Sequence, residues 1–265
     1  MDKSEAGGGR TRRIAAQWRL FLLALQFLTR LPVPRDLDWC ADAQRRAVRY
    51  YPAVGVVVGI LGAAVLALSA QAWPTPLAVL MSLAATLIAT GAMHEDGLAD
   101  AADGLVGGAT RERALEIMRD SRIGTYGALA LGVALALKVA ALAALPLGAA
   151  CLALVAAHAL GRGAAVWVIA TTTYARTGEA AAKFPAPGVS PGEQAIAMIT
   201  LGAVLLATAA GLGPAVLAGL VCAAAPAWAF RRLCRAKLGG HTGDCLGGIQ
   251  QLAEIGFYLG LVAWL

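Results

Sequence analysis

Seven long apolar stretches, at residues 51–72, 76–93, 126–145, 147–173, 194–210, 214–230 and 247–265, dominate this chain and leave little besides a membrane-embedded helix bundle. A hydrocarbon core about 30 Å thick takes about 20 apolar residues at a rise of 1.5 Å per residue. Composition agrees. The 265 residues are 59% hydrophobic and 14% charged, with a mean hydropathy of +0.68, whereas soluble domains carry about 25% charged residues. A tightly packed soluble all-α protein is the alternative, and it lacks the polar surface to cover itself. The 31 glycines suit close helix packing in lipid. The fold expected is all-α: a polytopic membrane bundle of about seven spans, forming one domain over residues 14–265.

The connections between stretches fall into two kinds. Three are short, rich in Pro and Gly, and free of Lys and Arg: 73–76, 145–148 and 211–214. The others are basic. Arg30, Arg35, Arg45, Arg46 and Arg49 precede the first span, and Arg111, Arg113, Arg119 and Arg122 lie in the third connection. Arg176 and Lys183 follow the fourth span, and Arg231, Arg232, Arg235 and Lys237 precede the last. With every basic connection cytoplasmic, seven spans alternate without contradiction. The net charge of +6 is thereby assigned to topology, and no nucleic-acid partner is expected.

Residues 1–13 are polar, Gly-rich and basic, and read as a disordered tail. The apolar segment 18–28 is short and has basic flanks, which favours an interfacial or re-entrant helix over a span. It lacks a small-residue cleavage site and does not read as a signal peptide. The five cysteines form no CxxC pair, so neither a disulfide framework nor a zinc knuckle is expected.

Only sixteen residues are acidic, and four of them fall within residues 94–104, directly after the second span. Asp96, Asp100 and Asp103 are spaced i, i+4, i+7, on one face of a helix. Three like charges on one face call for a cation, and a hard divalent ion such as Mg²⁺ prefers carboxylate oxygens while sharing its other positions with water and substrate phosphates. A solvated acidic face is the plainer reading. Against it stand the small residues between the aspartates and the scarcity of acids elsewhere. Glu95 points away from the three-aspartate face, to pair with an arginine or to serve as a ligand from the helix start.

Downstream, residues 111–127 read as an amphipathic surface helix followed by a turn. Arg122 could there meet phosphate and Asp120 the metal, or the whole could be a salt-bridged solvent face. A second polar island, residues 239–248, opens the last span. Its glycines and helix start suit an anion. Asp244, Gln251 and Glu254 share one side of that helix. Inside the fourth span, His158 and Arg162 form an i, i+4 pair too deep to reach water, so Arg162 meets either a carboxylate or a substrate phosphate.

Taken together, these motifs resemble the cobalamin synthase family, also called adenosylcobinamide-GDP ribazoletransferase. The matching pieces are residues 27–34, 50–55, 94–108, 115–127 and 242–248, in the family's order, with Cys245 and Gly248 as mild departures. The resemblance implies an integral membrane transferase of the bacterial inner membrane that faces the cytoplasm. It would join adenosylcobinamide-GDP to α-ribazole (or its 5′-phosphate), release GMP and use Mg²⁺, in a late step of cobalamin nucleotide-loop assembly. Mapped onto this sequence, Asp96, Asp100, Asp103 and Asp244 are the metal candidates. His94, Glu95, Asp120 and Arg122 are the catalytic candidates, and Arg30, Arg119, Arg162, Thr242 and Gly243 those for substrate. Besides the substrates and the lipid bilayer, a homo-oligomer or association with other cobalamin-assembly enzymes stays open.

Two rivals remain at the level of sequence. A CDP-alcohol phosphotransferase of phospholipid synthesis would carry D-x₂-D-G-x₂-A-R, but Gly107 and Gly108 stand where Ala-Arg belongs. A cation-coupled transporter would place its acids in mid-span and show related halves, and neither pattern is visible.

Overall fold

The structure, a computed structural model, describes residues 3–34, 36, 37, 40–176 and 188–265, with side chains from Ile14 onward. Arg35 and Lys183, two of the basic-connection residues, lie outside that set. In chain order the helices are α1 (Lys3–Leu28), α2 (Ala41–Ala47), α3 (Tyr51–Ser69), α4 (Thr75–Thr90), α5 (Met93–Gly107), α6 (Arg111–Ile117), α7 (Thr125–Ala144), α8 (Leu147–Thr171), α9 (Pro191–Leu212), α10 (Ala215–Leu238) and α11 (Gly243–Trp264). A 3₁₀ turn, Val48–Tyr50, joins α2 to α3. No strand occurs among the described residues.

Six helical segments are each long and apolar enough to cross a bilayer: the α2–α3 run (Ala41–Ser69), α7, α8, α9, α10 and α11. The remaining expected span, 76–93, corresponds to α4. With 16 residues, it reaches only about 24 Å along its axis. It nevertheless carries the chain back to the end from which α3 set out. Arg30 N, just past α1, donates to Ala89 O (2.6 Å) near the end of α4, while Phe27 of α1 stacks on Tyr51 at the start of α3. Seven helices therefore traverse the bundle, one of them short. Ile88, Leu129, Val133, Ile199, Leu206, Leu217 and Val221 are exposed on its outside, an apolar girdle fit for lipid and a liability in water.

Residues 3–13, expected as a disordered tail, have helical backbone continuous with α1. Adding a residue to an existing helix costs far less than nucleating one, and residues 14–28 supply the nucleus. That apolar portion, Ile14–Leu28, is too short to be a span. Its Leu20, Leu23, Ala24 and Leu28 pack on Ala43, Ala47, Val48, Tyr51 and Val54.

One corner positions everything that follows. Gly91 (φ +64°) caps α4 in the left-handed region, and Ala92 (φ +54°) repeats it. For a residue with a Cβ, that conformation costs roughly 1–2 kcal/mol. The corner is closed by Ala92 N donating to Leu87 O (2.9 Å), and it turns α5 by 86° from α4. The acidic helix thus leaves the line of α4 and packs between α7 and α11, with Leu98 against Ala134 and Ile255.

The basic connections meet at the end of the bundle from which α3 sets out. Arg45 and Arg49 both bond Glu193 at the capped start of α9, each at 3.1 Å. Arg111 donates to Leu238 O (2.9 Å) and Ala175 O (2.6 Å), and Arg231 donates to Thr171 O (3.1 Å). A parallel bridge, Tyr174 to His241, ties the chain leaving α8 to the chain entering α11. Its bonds are Ala175 N to His241 O (2.8 Å) and His241 N to Thr173 O (2.9 Å).

Candidate active site

The acidic helix meets the last span where neither carries a side chain. A Cβ on Gly97 would lie 3.1 Å from Asp244 O and 3.3 Å from Gly247 Cα, and one on Gly247 would lie 2.9 Å from His94 O. This glycine contact lets the backbones of α5 and α11 approach, and it brings Asp244 of the first turn of α11 to the aspartate face of α5. Thr242 caps α11, accepting from Cys245 N (3.2 Å) and donating to Asp244 Oδ2 (3.2 Å). Arg176, just after the bridge, donates to the same carboxylate oxygen at 2.7 Å.

The four aspartates are not equivalent. Asp96 is exposed and Asp100 half-buried, and neither carboxylate bonds to any described residue. Burial, then the neighbouring charges of Asp96, Asp244 and Asp103, push Asp100 up to about 7. Asp103 is buried, and both its oxygens are engaged: Gly124 N donates to Oδ2 (2.7 Å) and Gly127 N to Oδ1 (2.9 Å). Its carboxylate thus serves the orphan donors at the start of α7, with one lone pair on each oxygen left over. Among the described residues no three His, Cys, Asp or Glu side chains already close on one point as a metal cage. The donor set is still the right kind for Mg²⁺, which needs few protein oxygens when water and phosphate supply the rest.

A cavity of about 140 Å³ opens beside these acids. Phe27, Leu28, Tyr51, Met93, Ile169 and Leu246 supply its apolar wall, and His94, Asp96, Tyr174, His241 and Asp244 its polar part. The backbone of Gly243 also lines it. His94 is 7% exposed, and its ring makes no hydrogen bond to any described residue. Burial and the nearby Arg162 charge hold it neutral, well below the usual histidine range. Burial likewise lowers His241 to about 4, with Nδ1 paired to Thr172 Oγ1 at 2.8 Å. Tyr174 is pushed up by its burial, in a field that includes Arg176, Asp244 and Arg119.

Other expected site residues lie elsewhere. Asp120 and Arg122 form an exposed pair (2.6 Å) in a second, polar cavity of about 320 Å³, which also touches Asp103, Arg113 and Glu116. Arg122's bonds hold Asp120 down at about 2. Arg30 is exposed and lies over Gly91 at the α4–α5 corner. Glu95, as expected, turns away from the aspartate face. Gln251 Nε2 donates to its Oε1 (2.8 Å), and Lys138 Nζ lies at 3.6 Å.

Glu95 belongs to a polar core buried among the spans. Glu254 is fully buried, accepts from Lys138 Nζ at 2.8 Å, pairs with His158 Nδ1 at 2.7 Å and lies 3.8 Å from Arg162 Nη1; Gln250 donates to it as well. Of the two fates open to Arg162, the structure gives it the carboxylate. Lys138 escaped the sequence reading, and Arg176 entered it only as a topology signal. A lone Lys in the apolar stretch 126–145 is a signal that could have found the first; nothing local marks the second as the partner of Asp244.

The model of the family described as cobalamin-5-phosphate synthase matches residues 20–262. The chain belongs to that family. Similar proteins named adenosylcobinamide-GDP ribazoletransferase include one from Leptothrix cholodnii, 47% identical over 92% of this chain and 95% of its own. One from Ralstonia nicotianae is 45% identical over 93% and 95%, and one from Vibrio parahaemolyticus is 40% identical over 98% of both. No solved structure matches the chain. All the motifs from which the resemblance was read lie within the matched residues.

Proposed function

We propose that this transferase joins adenosylcobinamide-GDP to α-ribazole or its 5′-phosphate on the aspartate face of α5, with Mg²⁺ held chiefly by Asp96 and Asp100. The observation that carries the site is the pair of carboxylates with no partner among the described residues, facing Asp244 beside a cavity. Asp103 contributes its remaining lone pairs and fixes α5 against α7, while Asp244 shares its charge with Arg176. When bound, the ion supplies charge neutralisation for the pyrophosphate.

The ribazole hydroxyl attacks the phosphorus that bears the cobinamide arm. A P–O bond forms there, the anhydride P–O bond breaks, and GMP leaves with the electron pair. His94 is positioned to accept the hydroxyl proton, because it alone of the expected acid–base pair lines the cavity; Glu95 is spoken for inside the bundle. Arg119 and Arg176 lie near Tyr174 and favour phosphate oxygens. The basic connections gathered at this end support a cytoplasmic orientation. The apolar part of α1 is read as an interfacial helix.

Replacing Asp100 by Asn in membranes supplied with both substrates and Mg²⁺ is expected to abolish GMP release while expression stays intact. Near-normal turnover would refute the metal assignment.

A further inference from the structure

We infer that the basic end of α10 holds an anionic phospholipid. The headgroup phosphate lies among Arg231, Arg232 and Arg235, and the chains run along the exposed apolar strip of the same helix. The site does not depend on the transfer reaction proposed above, and none of its residues lines the cavity beside the aspartates.

Three observations carry it. The first is uncompensated charge. Elsewhere among the basic connections, Arg45 and Arg49 meet Glu193, Arg113 meets Glu116 and Arg176 meets Asp244. Arg231, Arg232, Arg235 and Lys237 form no ion pair with any described residue, and the charge of Arg235 acts on Arg231. Like charges one helical turn apart repel, and an anion between them removes the penalty.

The second is how the arginines are held. Arg231 lies over the Trp167 ring of α8, 4.7 Å from its centroid, and Arg232 over the Trp228 ring at 4.9 Å. A ring covers the flat face of a guanidinium and leaves its N–H edge to an oxyanion. Arg231 Nη2 donates to Thr171 O (3.1 Å), while its buried Nε has no hydrogen-bond partner among the described residues. A buried donor without a partner is costly, and a phosphate oxygen would satisfy it.

The third is the surface below. Leu217, Val221, Ala224 and Trp228 recur at helical spacing on the face that carries the three arginines. All four are exposed, Leu217 by 65% and Val221 by 70%. Val221 lies about 16 Å along the axis from Arg232, which spans headgroup level to hydrocarbon, with Trp228 at the level of an interfacial aromatic. A soluble phosphate would use the arginines and leave this strip bare. A zwitterionic lipid would bring a cation of its own among them. An anionic phospholipid matches both parts.

The probe is phosphatidylglycerol, titrated onto the full-length protein in neutral detergent micelles, with bound lipid counted by native mass spectrometry. Wild type is expected to retain one phosphatidylglycerol under conditions that strip phosphatidylcholine. Arg232→Gln/Arg235→Gln should weaken that binding about thirtyfold. Trp228→Ala keeps every charge and should weaken it about threefold. Arg46→Gln/Arg113→Gln removes the same charge elsewhere and should leave it within about twofold of wild type. All five positions are exposed, so the packing of the bundle is untouched. Equal weakening by the two double variants would reduce the effect to the overall positive field and overturn the proposal. Equal retention of phosphatidylcholine would also overturn it. So would displacement of the lipid by glycerol phosphate at comparable concentration, which would make this a site for a soluble anion. The measurement needs no turnover, so its outcome is separate from that of GMP release.

Discussion

Replacing Lys138 by Met should destabilise the bundle far more than the loss of one surface charge would. Lys138 is 3% exposed, with Glu254 at 2.8 Å and Glu95 at 3.6 Å. At an effective dielectric of about 20, those separations correspond to attractions of roughly 6 and 5 kcal/mol. Lost hydration of the three charges offsets much of this, and breaking a buried pair costs about 3–5 kcal/mol net. Two carboxylates and two permanent cations share this core, so Lys138→Met leaves one carboxylate without a counter-charge. Restoring the balance with Glu95→Gln should recover most of the loss, because the double variant leaves Glu254 with His158 and Arg162. The assay is reversible unfolding of purified protein in mixed micelles, run as a double-mutant cycle. A single variant within about 1 kcal/mol of wild type, or additive effects of the two changes, would refute the view of this cluster as one electrostatic unit.

Asp103→Asn should lower both stability and activity. One of two hydrogen bonds to a charged acceptor is replaced by an N–H facing an N–H, at about 2 kcal/mol, read from the unfolding midpoint; Asp96→Asn should lower activity alone. His241 supplies a pH test. Its folded value, about 4, lies below the ordinary 6.5, so the unfolded chain binds the proton first. Its contribution is complete above pH 6.5 and is lost as pH falls toward 4, by at most about 3 kcal/mol. His241→Asn should flatten stability against pH in that window, and an unchanged slope would count against the burial argument.

Much of the fold was legible because a bilayer imposes a length and a polarity on every span. The apolar stretches, the bare turns and the basic connections each marked where helices cross, and the i, i+4, i+7 spacing placed three aspartates on one face. Helix ends were less legible. α11 begins at Gly243 rather than near 247 because Thr242 caps it, and α10 runs to Leu238, past the expected 230. In both cases hydrogen bonding at the end extends the helix beyond its apolar stretch.

The sequence by itself determined that this is an all-α membrane protein with a concentrated acidic motif after its second apolar stretch, since composition and periodicity are local properties. What an acidic residue does is not local. Asp96 and Asp100 stay free while Asp103, on the same face, is engaged by two backbone N–H groups of α7. Glu254, on the same side of the last helix as Asp244, is held by Lys138, His158 and Arg162. Asp244 reaches α5 only because two glycines from distant parts of the chain let the helices touch. Those roles depend on which helices are neighbours and how closely they approach, and only tertiary packing sets that.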